Sequence, residues 1–200
     1  MSNIHEHVAF ATSVFEIDLP GISEKIKTDD YKIGQTSGLQ YKDEFKFLVD
    51  EFTSKCKEIS ETYFNIKEGF DYEIATMWLN KSDKYAFHPP HNHCNTFLSG
   101  VLMLDGKEDE FPSLEMIRPQ PMQILPTVKN FNPLNSNWFA LKTLKDKLYI
   151  FPSYLLHFVR LNMNEKIRKT IAFDIIVRGT YYEDVDGNGK NIGKFTIWAN

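Results

Sequence analysis

Four histidines lie where they could share a metal ion. His88, His91 and His93 occur within the segment HPPHNH, and His157 follows much later, after the apolar run LYIFPS. Residues two apart on an extended segment point to the same side, so His91 and His93 can offer two imidazoles to one ion. His157 could supply a third imidazole from a distant strand. Three ligands on one face of a metal leave the other positions open for substrate and O₂.

A different pairing, of His88 with His91, is less favourable. These two residues are three positions apart, which is a helical spacing, and the intervening Pro89-Pro90 forbids a helix. We therefore rank this pairing below that of His91 with His93. The alternative for the whole set is that H-x-H arises by chance in a Pro-rich loop and that His157 is a hydrogen-bonded core residue.

Downstream of His157, the run RKTIAFD could bind an anion. It begins at Arg168 and has strand character, so Arg168 and Thr170 share a face that can line the interior of a barrel. A guanidinium is costly to bury without an anion. Its planar fork matches a carboxylate, and Thr170 can add a hydroxyl. The alternative is an exposed arginine on an edge strand that also carries Lys169.

The second part of the chain predicts the framework for these residues. From Tyr72 onward, short β-prone runs recur about every ten residues, separated by Pro, Asn, Gly or charged residues, and no βαβ alternation occurs. This pattern predicts a mainly β protein with flanking helices around a double-stranded β-helix, the cupin-like jelly roll. Strands distant in sequence lie side by side in such a fold. The Pro- and Asn-rich segment 119–137 is predicted to be a long loop.

The first part of the chain predicts a cap of mixed structure. Residues 7–19 read as a strand, residues 22–27 as a short helix, and residues 41–63 as an amphipathic helix with apolar positions at steps of three and four. We expect a single domain over residues 1–200, with a cap at 1–72 and the jelly-roll core at 73–200.

Composition narrows the classes of protein. The formal net charge of −4 does not favour nucleic acid as a partner, and no apolar run approaches the roughly 20 residues that span a bilayer. The amino terminus lacks the pattern of a secretory signal, and Cys56 and Cys94 fit reduced thiols better than a disulfide scaffold. We therefore expect a cytoplasmic protein.

Three motifs in succession resemble a known family. HPPHNHCNTFLSGVLML, KLYIFPSYLLHFVRLN and RKTIAFDI resemble the 2-oxoglutarate/Fe(II)-dependent oxygenase superfamily over roughly residues 75–178. The closest likeness is to a subgroup common in phage and marine bacterial genomes, which carries H-x-H, F-P-S-x-L-x-H and R-x-S/T motifs. More weakly, the likeness extends upstream to Thr36–Gln40 and Trp78-Leu79-Asn80.

The resemblance implies an enzyme that holds Fe(II) with His91, His93 and His157. Arg168, helped by Thr170, would bind the distal carboxylate of the cosubstrate 2-oxoglutarate, and Asn80 is a further candidate contact. The implied reaction hydroxylates or oxidises a substrate while 2-oxoglutarate is decarboxylated to succinate. The substrate, a small molecule or a side chain, is not specified by the sequence, and a homodimer is one possible assembly.

One departure from the superfamily keeps alternatives open. Most members have His-x-Asp or His-x-Glu where this chain has His91-Asn92-His93. A carboxylate such as Asp83 or Asp105 could replace His93 as a ligand. Three-His iron sites also serve cupin-type dioxygenases that do not use 2-oxoglutarate. A third alternative is a non-enzymatic jelly-roll binding or virion-associated module whose histidines hold structural zinc or nothing.

Overall fold

The computed structural model describes residues 11–121, 123–124, 126–185, 188 and 190–197. Three short 3₁₀ helices, Ser23–Lys25, Leu39–Tyr41 and Asp43–Phe45, precede the α-helix α1, Lys46–Thr62. The strands are β1 Phe15–Asp18, β2 Gly34–Ser37, β3 Asp71–Ser82, β4 His88–His91, β5 Leu98–Met103, β6 Leu114–Ile117, β7 Trp138–Leu141, β8 Lys147–Pro152, β9 His157–Val159, β10 Arg168–Val185 and β11 Asn191–Ile197.

Within the described ranges the strands form two sheets, and the strand pairs in both sheets are antiparallel. The larger sheet has the order β1-β8-β5-β10-β3-β2, and β11 pairs with the far part of β10. The smaller sheet has the order β4-β9-β6-β7. This arrangement confirms the predicted mainly β, jelly-roll class. The division of the chain at residue 72 stays a prediction.

The amino-terminal predictions are confirmed in outline. The helix predicted over residues 41–63 is present as α1, preceded by a 3₁₀ turn at Asp43–Phe45. The short helix predicted at residues 22–27 is a 3₁₀ helix at Ser23–Lys25. Of the strand predicted over residues 7–19, the part from 15 to 18 is β1, and residues 7–10 lie outside the described residues.

Helix α1 packs on one face of the larger sheet. Its apolar stripe buries Leu48, Phe52, Cys56 and Ile59 in a cluster with side chains from β3, β5, β8 and β10. The ring of Phe52 stacks on Phe173 of β10, with centroids 4.4 Å apart. Burial of this stripe, more than helix propensity, is what stabilises a 17-residue helix in water.

The opposite face of the larger sheet turns towards the smaller sheet. A second apolar cluster, formed by Met103, Leu114, Met116, Leu141, Tyr149, Phe151, Leu155 and Val159, fills part of the space between the two sheets. Alternation along β10 separates these two environments. Phe173 faces α1, whereas Arg168, Thr170 and Ala172 line the space between the sheets.

Two further sequence predictions bear on the surface. Within the described part of 119–137, which omits residues 122 and 125, no helix or strand forms, as expected for a loop. Among the described residues, none of the helices has the length and apolar character needed to cross a membrane.

Truncating Phe52 should unfold the protein at much lower denaturant concentration. Phe52→Ala removes a fully buried ring that stacks on Phe173, and such a change costs about 3–5 kcal/mol. Lys46→Ala on the exposed side of α1 removes only a surface ion pair with Asp50 and should stay within about 0.5 kcal/mol of the wild type. Urea unfolding followed by circular dichroism measures both, and equal losses would contradict this packing.

Candidate metal centre

The three predicted ligands come together at one end of the space between the sheets. His91 ends β4 and His157 begins β9, and the two residues are direct partners across these antiparallel strands. His93 lies two residues further on, in the segment that leads into β5. The three ring centroids are 4.3–5.3 Å apart, and one nitrogen from each ring lies within 4.8 Å of the others. This grouping could hold a metal ion.

Hydrogen bonds orient all three imidazoles. Nδ1 of His91 lies 2.7 Å from the carbonyl of Pro89, and Nδ1 of His157 lies 2.9 Å from the carbonyl of Leu155. Both contacts reach two residues back along the chain. A carbonyl only accepts hydrogen bonds, so each of these rings carries its proton on Nδ1 and leaves the Nε2 lone pair free for a metal.

The third imidazole is held by a carboxylate. Nδ1 of His93 lies 3.0 Å from Oδ2 of Asp174, and the side chain of Asp174 is almost fully buried. The hydroxyl of Ser99 donates to the other carboxylate oxygen at 2.6 Å and also lies 2.9 Å from the hydroxyl of Ser153. The described residues thus fix the Nδ1–H tautomer of His93 as well, by a charged acceptor.

A narrow cavity of about 50 Å³ links the imidazoles to Arg168. Arg168 is 2% exposed. In the part of the chain that the structure describes, its hydrogen bonds go to Thr143 Oγ1 at 3.2 Å and Met103 Sδ at 3.6 Å, and not to a carboxylate. Burial lowers the pKa of Arg168 to about 10, an effect that the nearby Asp105 opposes. The guanidinium therefore stays charged at neutral pH.

Thr170 and Asn80 lie side by side on the wall of this cavity. They are register partners on β10 and β3, and both are buried. Oδ1 of Asn80 has no hydrogen-bond partner among the described residues. A buried polar atom without a partner is uncommon in a folded protein, so this wall offers a polar position to a bound molecule.

His88 lines the same cavity but stands outside the group of three. Burial is the main cause that lowers its pKa, and the positive charges of Arg168 and His91 add to it. Arg168 and His91 line this cavity together with His88. Among the described residues, the group whose ligand atoms approach within 4.8 Å contains His91, His93 and His157, and does not contain His88.

The two carboxylates weighed as replacements for His93 lie elsewhere. Asp83 is exposed, and Asp105 accepts a hydrogen bond from the backbone of Lys169 at 3.1 Å. Neither belongs to the group of potential ligands in the described chain. The carboxylate that does lie at this site, Asp174, contacts the Nδ1 side of His93.

Sequence reasoning missed Asp174 and Ser99, although a signal was present. Asp174 follows Arg168 by six positions, and an even separation on a strand puts both on one face. A charged residue on the buried face of a strand that otherwise reads IAFDII is unusual. The spacing could not show that Asp174 lies beside His93, because that contact depends on the conformation of the segment before β5.

A second and larger cavity lies beside the first. Its volume is about 410 Å³, and it is lined by Phe64, Asn92, His93, Cys94, Asn95, Thr96, Phe97, Leu98, Pro152 and Tyr154. His93 lines both cavities, so its imidazole stands at the boundary between them.

Comparison with known sequences shows the family. Residues 76–174 match the family model described as "Putative 2OG-Fe(II) oxygenase". The chain belongs to the 2-oxoglutarate/Fe(II) oxygenases. It is accordingly an enzyme whose cofactors are Fe(II) and 2-oxoglutarate, as the motifs imply. The narrower likeness to a phage and marine bacterial subgroup stays a prediction.

Several solved structures share the fold of this chain. HygX from Streptomyces hygroscopicus, with nickel and 2-oxoglutarate bound, matches with a TM-score of 0.58 at 11% identity, covering 82% of each chain. A prolyl-4-hydroxylase from Pseudomonas putida matches with a TM-score of 0.54 at 12% identity, covering 82% of this chain and 93% of that one. AviO1 from Streptomyces viridochromogenes Tue57 gives 0.52 at 16% identity, covering 78% and 77%. No curated protein sequence matches the oxygenase significantly.

Acidification should destabilise the metal-free oxygenase more than its His157→Asn variant. Burial, aided by His91 and His93, lowers the pKa of His157 from 6.5 to about 4. Below pH 6.5 the unfolded chain therefore binds a proton that the folded protein refuses, and stability falls until the pH reaches about 4.

The resulting loss at pH 5 is about 2 kcal/mol in the wild type and absent at this position in the variant. Urea unfolding in the presence of a chelator, at pH 7 and pH 5, measures the difference. The same pH dependence in both proteins would show that His157 is not held neutral by the fold.

Proposed function

We propose that this oxygenase hydroxylates or otherwise oxidises a small molecule or a side chain, with decarboxylation of 2-oxoglutarate to succinate. In this proposal His91, His93 and His157 hold the Fe(II) ion. The observation that carries it is the convergence of three imidazoles, each with Nδ1 committed to an acceptor, in a cavity that also holds a buried guanidinium.

Arg168 is the proposed partner of the distal carboxylate of 2-oxoglutarate. A buried cation carries a large desolvation cost. The hydrogen bonds of Arg168 go to the neutral groups of Thr143 and Met103, and the carboxylate of Asp105 acts on the guanidinium through space and not through a hydrogen bond. A planar guanidinium binds a carboxylate through two parallel hydrogen bonds, and the Thr170 hydroxyl lines the same wall. The keto-acid end would then face the imidazoles.

The division of labour follows from this placement. Bound iron supplies the activation of O₂ and the oxidation of the substrate. The chain supplies three imidazole donors, one anion-binding cation and a narrow cavity between them. The lowered pKa values of His157 and His88 keep these rings neutral at physiological pH, so neither competes with the ion as a positive charge.

The larger cavity beside His93 is the proposed position of the oxidised substrate. Its walls combine the rings of Phe64, Phe97 and Tyr154 with the amides of Asn92 and Asn95. Such a lining suits an occupant with an apolar body and a few polar groups. Because His93 borders both cavities, an occupant here would lie next to the proposed iron ligands.

Anaerobic reconstitution tests the proposed ligands. Wild-type protein with Fe(II) should develop a weak visible charge-transfer band when 2-oxoglutarate is added, and should release succinate when O₂ is admitted. His91→Ala and His157→Ala each remove one donor and should lose the band, with far-ultraviolet circular dichroism confirming that they fold. A band of wild-type intensity in either variant would reject that histidine as a ligand.

Replacing Arg168 tests the cosubstrate site. Arg168→Met should raise the dissociation constant for 2-oxoglutarate at least about 30-fold, because truncating one partner of a buried charge pair costs roughly 2–5 kcal/mol. Metal affinity should change little. Lys169→Met removes the same charge from the next residue on the opposite face of β10 and should leave 2-oxoglutarate binding unchanged. Equal affinities for both variants, measured by titration of the visible band, would contradict the assignment.

A further inference from the structure

We propose that Asp174 is the positioning residue of the metal centre, which fixes His93 and supplies the negative charge that a His-x-His sequence lacks. This inference rests on the proposed function, because it takes His93 to be an iron ligand. Asp174 acts through His93 and does not touch the metal. The carboxylate expected at the ligand position is, in this view, retained one hydrogen bond further out.

Both oxygens of Asp174 are engaged by donors. Oδ2 accepts from Nδ1 of His93 at 3.0 Å, and Oδ1 accepts from the Ser99 hydroxyl at 2.6 Å. An ionised carboxylate only accepts, so the single Ser99 proton points to Asp174, and the Ser153 hydroxyl, 2.9 Å from Ser99, must donate to Ser99. The direction of this chain of hydrogen bonds is the one that stabilises an anion at Asp174.

Ser153 connects the same network to the backbone of His93. The amide of His93 donates to the carbonyl of Ser153 at 2.9 Å, and the amide of Ser153 donates to the carbonyl of Phe97 at 3.1 Å. His93 is therefore restrained at its backbone and at its ring by groups that belong to one network. Such support removes the rotational freedom that a metal ligand in a loop would otherwise have.

Asp174 differs in charge from the acceptors of the other two imidazoles. His91 and His157 both donate to neutral backbone carbonyls. A divalent ion bound by three neutral imidazoles keeps its full +2 charge, whereas a carboxylate hydrogen-bonded to one ligand lowers the net charge of the centre to +1.

Among the described residues, the ion-pair contact of Asp174 is with His93 alone, and its side chain is 6% exposed. A buried anion needs a cation, and an ion on Nε2 of His93 would provide one.

A local irregularity in β3 lies opposite Asp174. Asp174 pairs with Thr76, but the next residue, Ile175, pairs with Ile74, so Ala75 has no register partner on β10. Such bulges redirect neighbouring side chains and increase strand twist. Gln40 satisfies the backbone there, because its Nε2 donates to the carbonyl of Ala75 at 3.1 Å and its Oε1 accepts from the amide of Met77 at 3.0 Å. The bulge is thus a supported feature of the fold.

Metal affinity tests the charge of Asp174 apart from its shape. Asp174→Asn keeps the size of the side chain and an acceptor oxygen but removes the charge, and should weaken Co(II) binding roughly 10–100-fold, as loss of a metal ligand's hydrogen-bonded partner typically does. Ser99→Ala removes the second hydrogen bond and keeps the charge, so its loss should stay under about tenfold. Absorbance titration with Co(II) measures both, and Asp174→Glu should recover part of the affinity.

Asp146→Asn is the matched control. Asp146 is also a carboxylate that accepts hydrogen bonds from a serine side chain and from backbone amides, but it holds the turn at Gly21 and Ser23. Its variant should lose stability while Co(II) affinity stays at the wild-type value. This comparison separates damage to the fold from damage to the metal centre.

A redox measurement gives a readout that a purely structural role would not change. Removing a negative charge near iron disfavours Fe(III) more than Fe(II), so the Fe(III)/Fe(II) potential should rise in Asp174→Asn and change little in Ser99→Ala. If Asp174→Asn does not fold, Asp174→Ser, a smaller neutral acceptor, should show the same weakening and the same direction of shift.

Wild-type affinity and potential in the folded neutral variant would overturn the role of Asp174 while leaving the three ligands intact. Failure of the wild-type protein itself to bind Co(II) would instead reject the proposed iron site.

Discussion

The alternation of side chains along β10 is the constraint on which the site depends. This strand is paired on both edges, with β3 on one side and β5 on the other, so it can neither rotate nor slide. A slip of one residue would turn Arg168 and Asp174 towards α1 and would bring Lys169 and Ile171 to the cavity side of the sheet. The register of β10 therefore determines both the stacking of Phe173 on Phe52 and the burial of Arg168.

The electrostatics of the cavity follow from this register. One end carries a guanidinium that stays charged, because burial lowers the pKa of Arg168 only to about 10. The other end carries imidazoles, and burial holds His157 neutral at physiological pH. A dianion with a carboxylate at each end matches a site that has a fixed cation at one end and a place for a metal ion at the other. A protonated imidazole would repel a metal ion. The lowered pKa of His157 prevents this repulsion at physiological pH.

Sequence patterns predicted the β-rich fold and the meeting of the segment at His91 and His93 with the distant His157. Three local periodicities carried these predictions: the short β-prone runs after Tyr72, the apolar positions at steps of three and four in α1, and the even spacing of Arg168 and Thr170. Each periodicity arises because one face of the helix or strand is buried. β4 was harder to foresee, because HPPH contains two prolines. Such a strand is tolerated at the edge of a sheet, where two missing amide donors leave no neighbour unpaired.

The contact between Asp174 and His93 could not be predicted in this way. It joins the middle of β10 to the segment before β5, and it requires the loop conformation of residues 92–97. A bulge at Ala75 of β3 lies opposite Asp174. The single side chain of Gln40, distant in sequence from all of these residues, satisfies the backbone of that bulge. Interactions of this kind have no period, so neither spacing nor composition reports them.

His93 lies at the border of the two cavities, so the hydrogen bond that fixes its ring affects both of them. Its imidazole borders both the narrow cavity and the larger one of about 410 Å³. Rotation of this ring about its side-chain bonds would break the bond to Asp174 and leave a buried carboxylate oxygen without a donor, which is costly for a buried charged group. The same hydrogen bond that fixes the orientation of His93 therefore also holds this residue at the border of the two cavities. A neutral carbonyl acceptor, such as those of His91 and His157, would hold the ring less firmly, since hydrogen bonds to charged groups are about twice as strong.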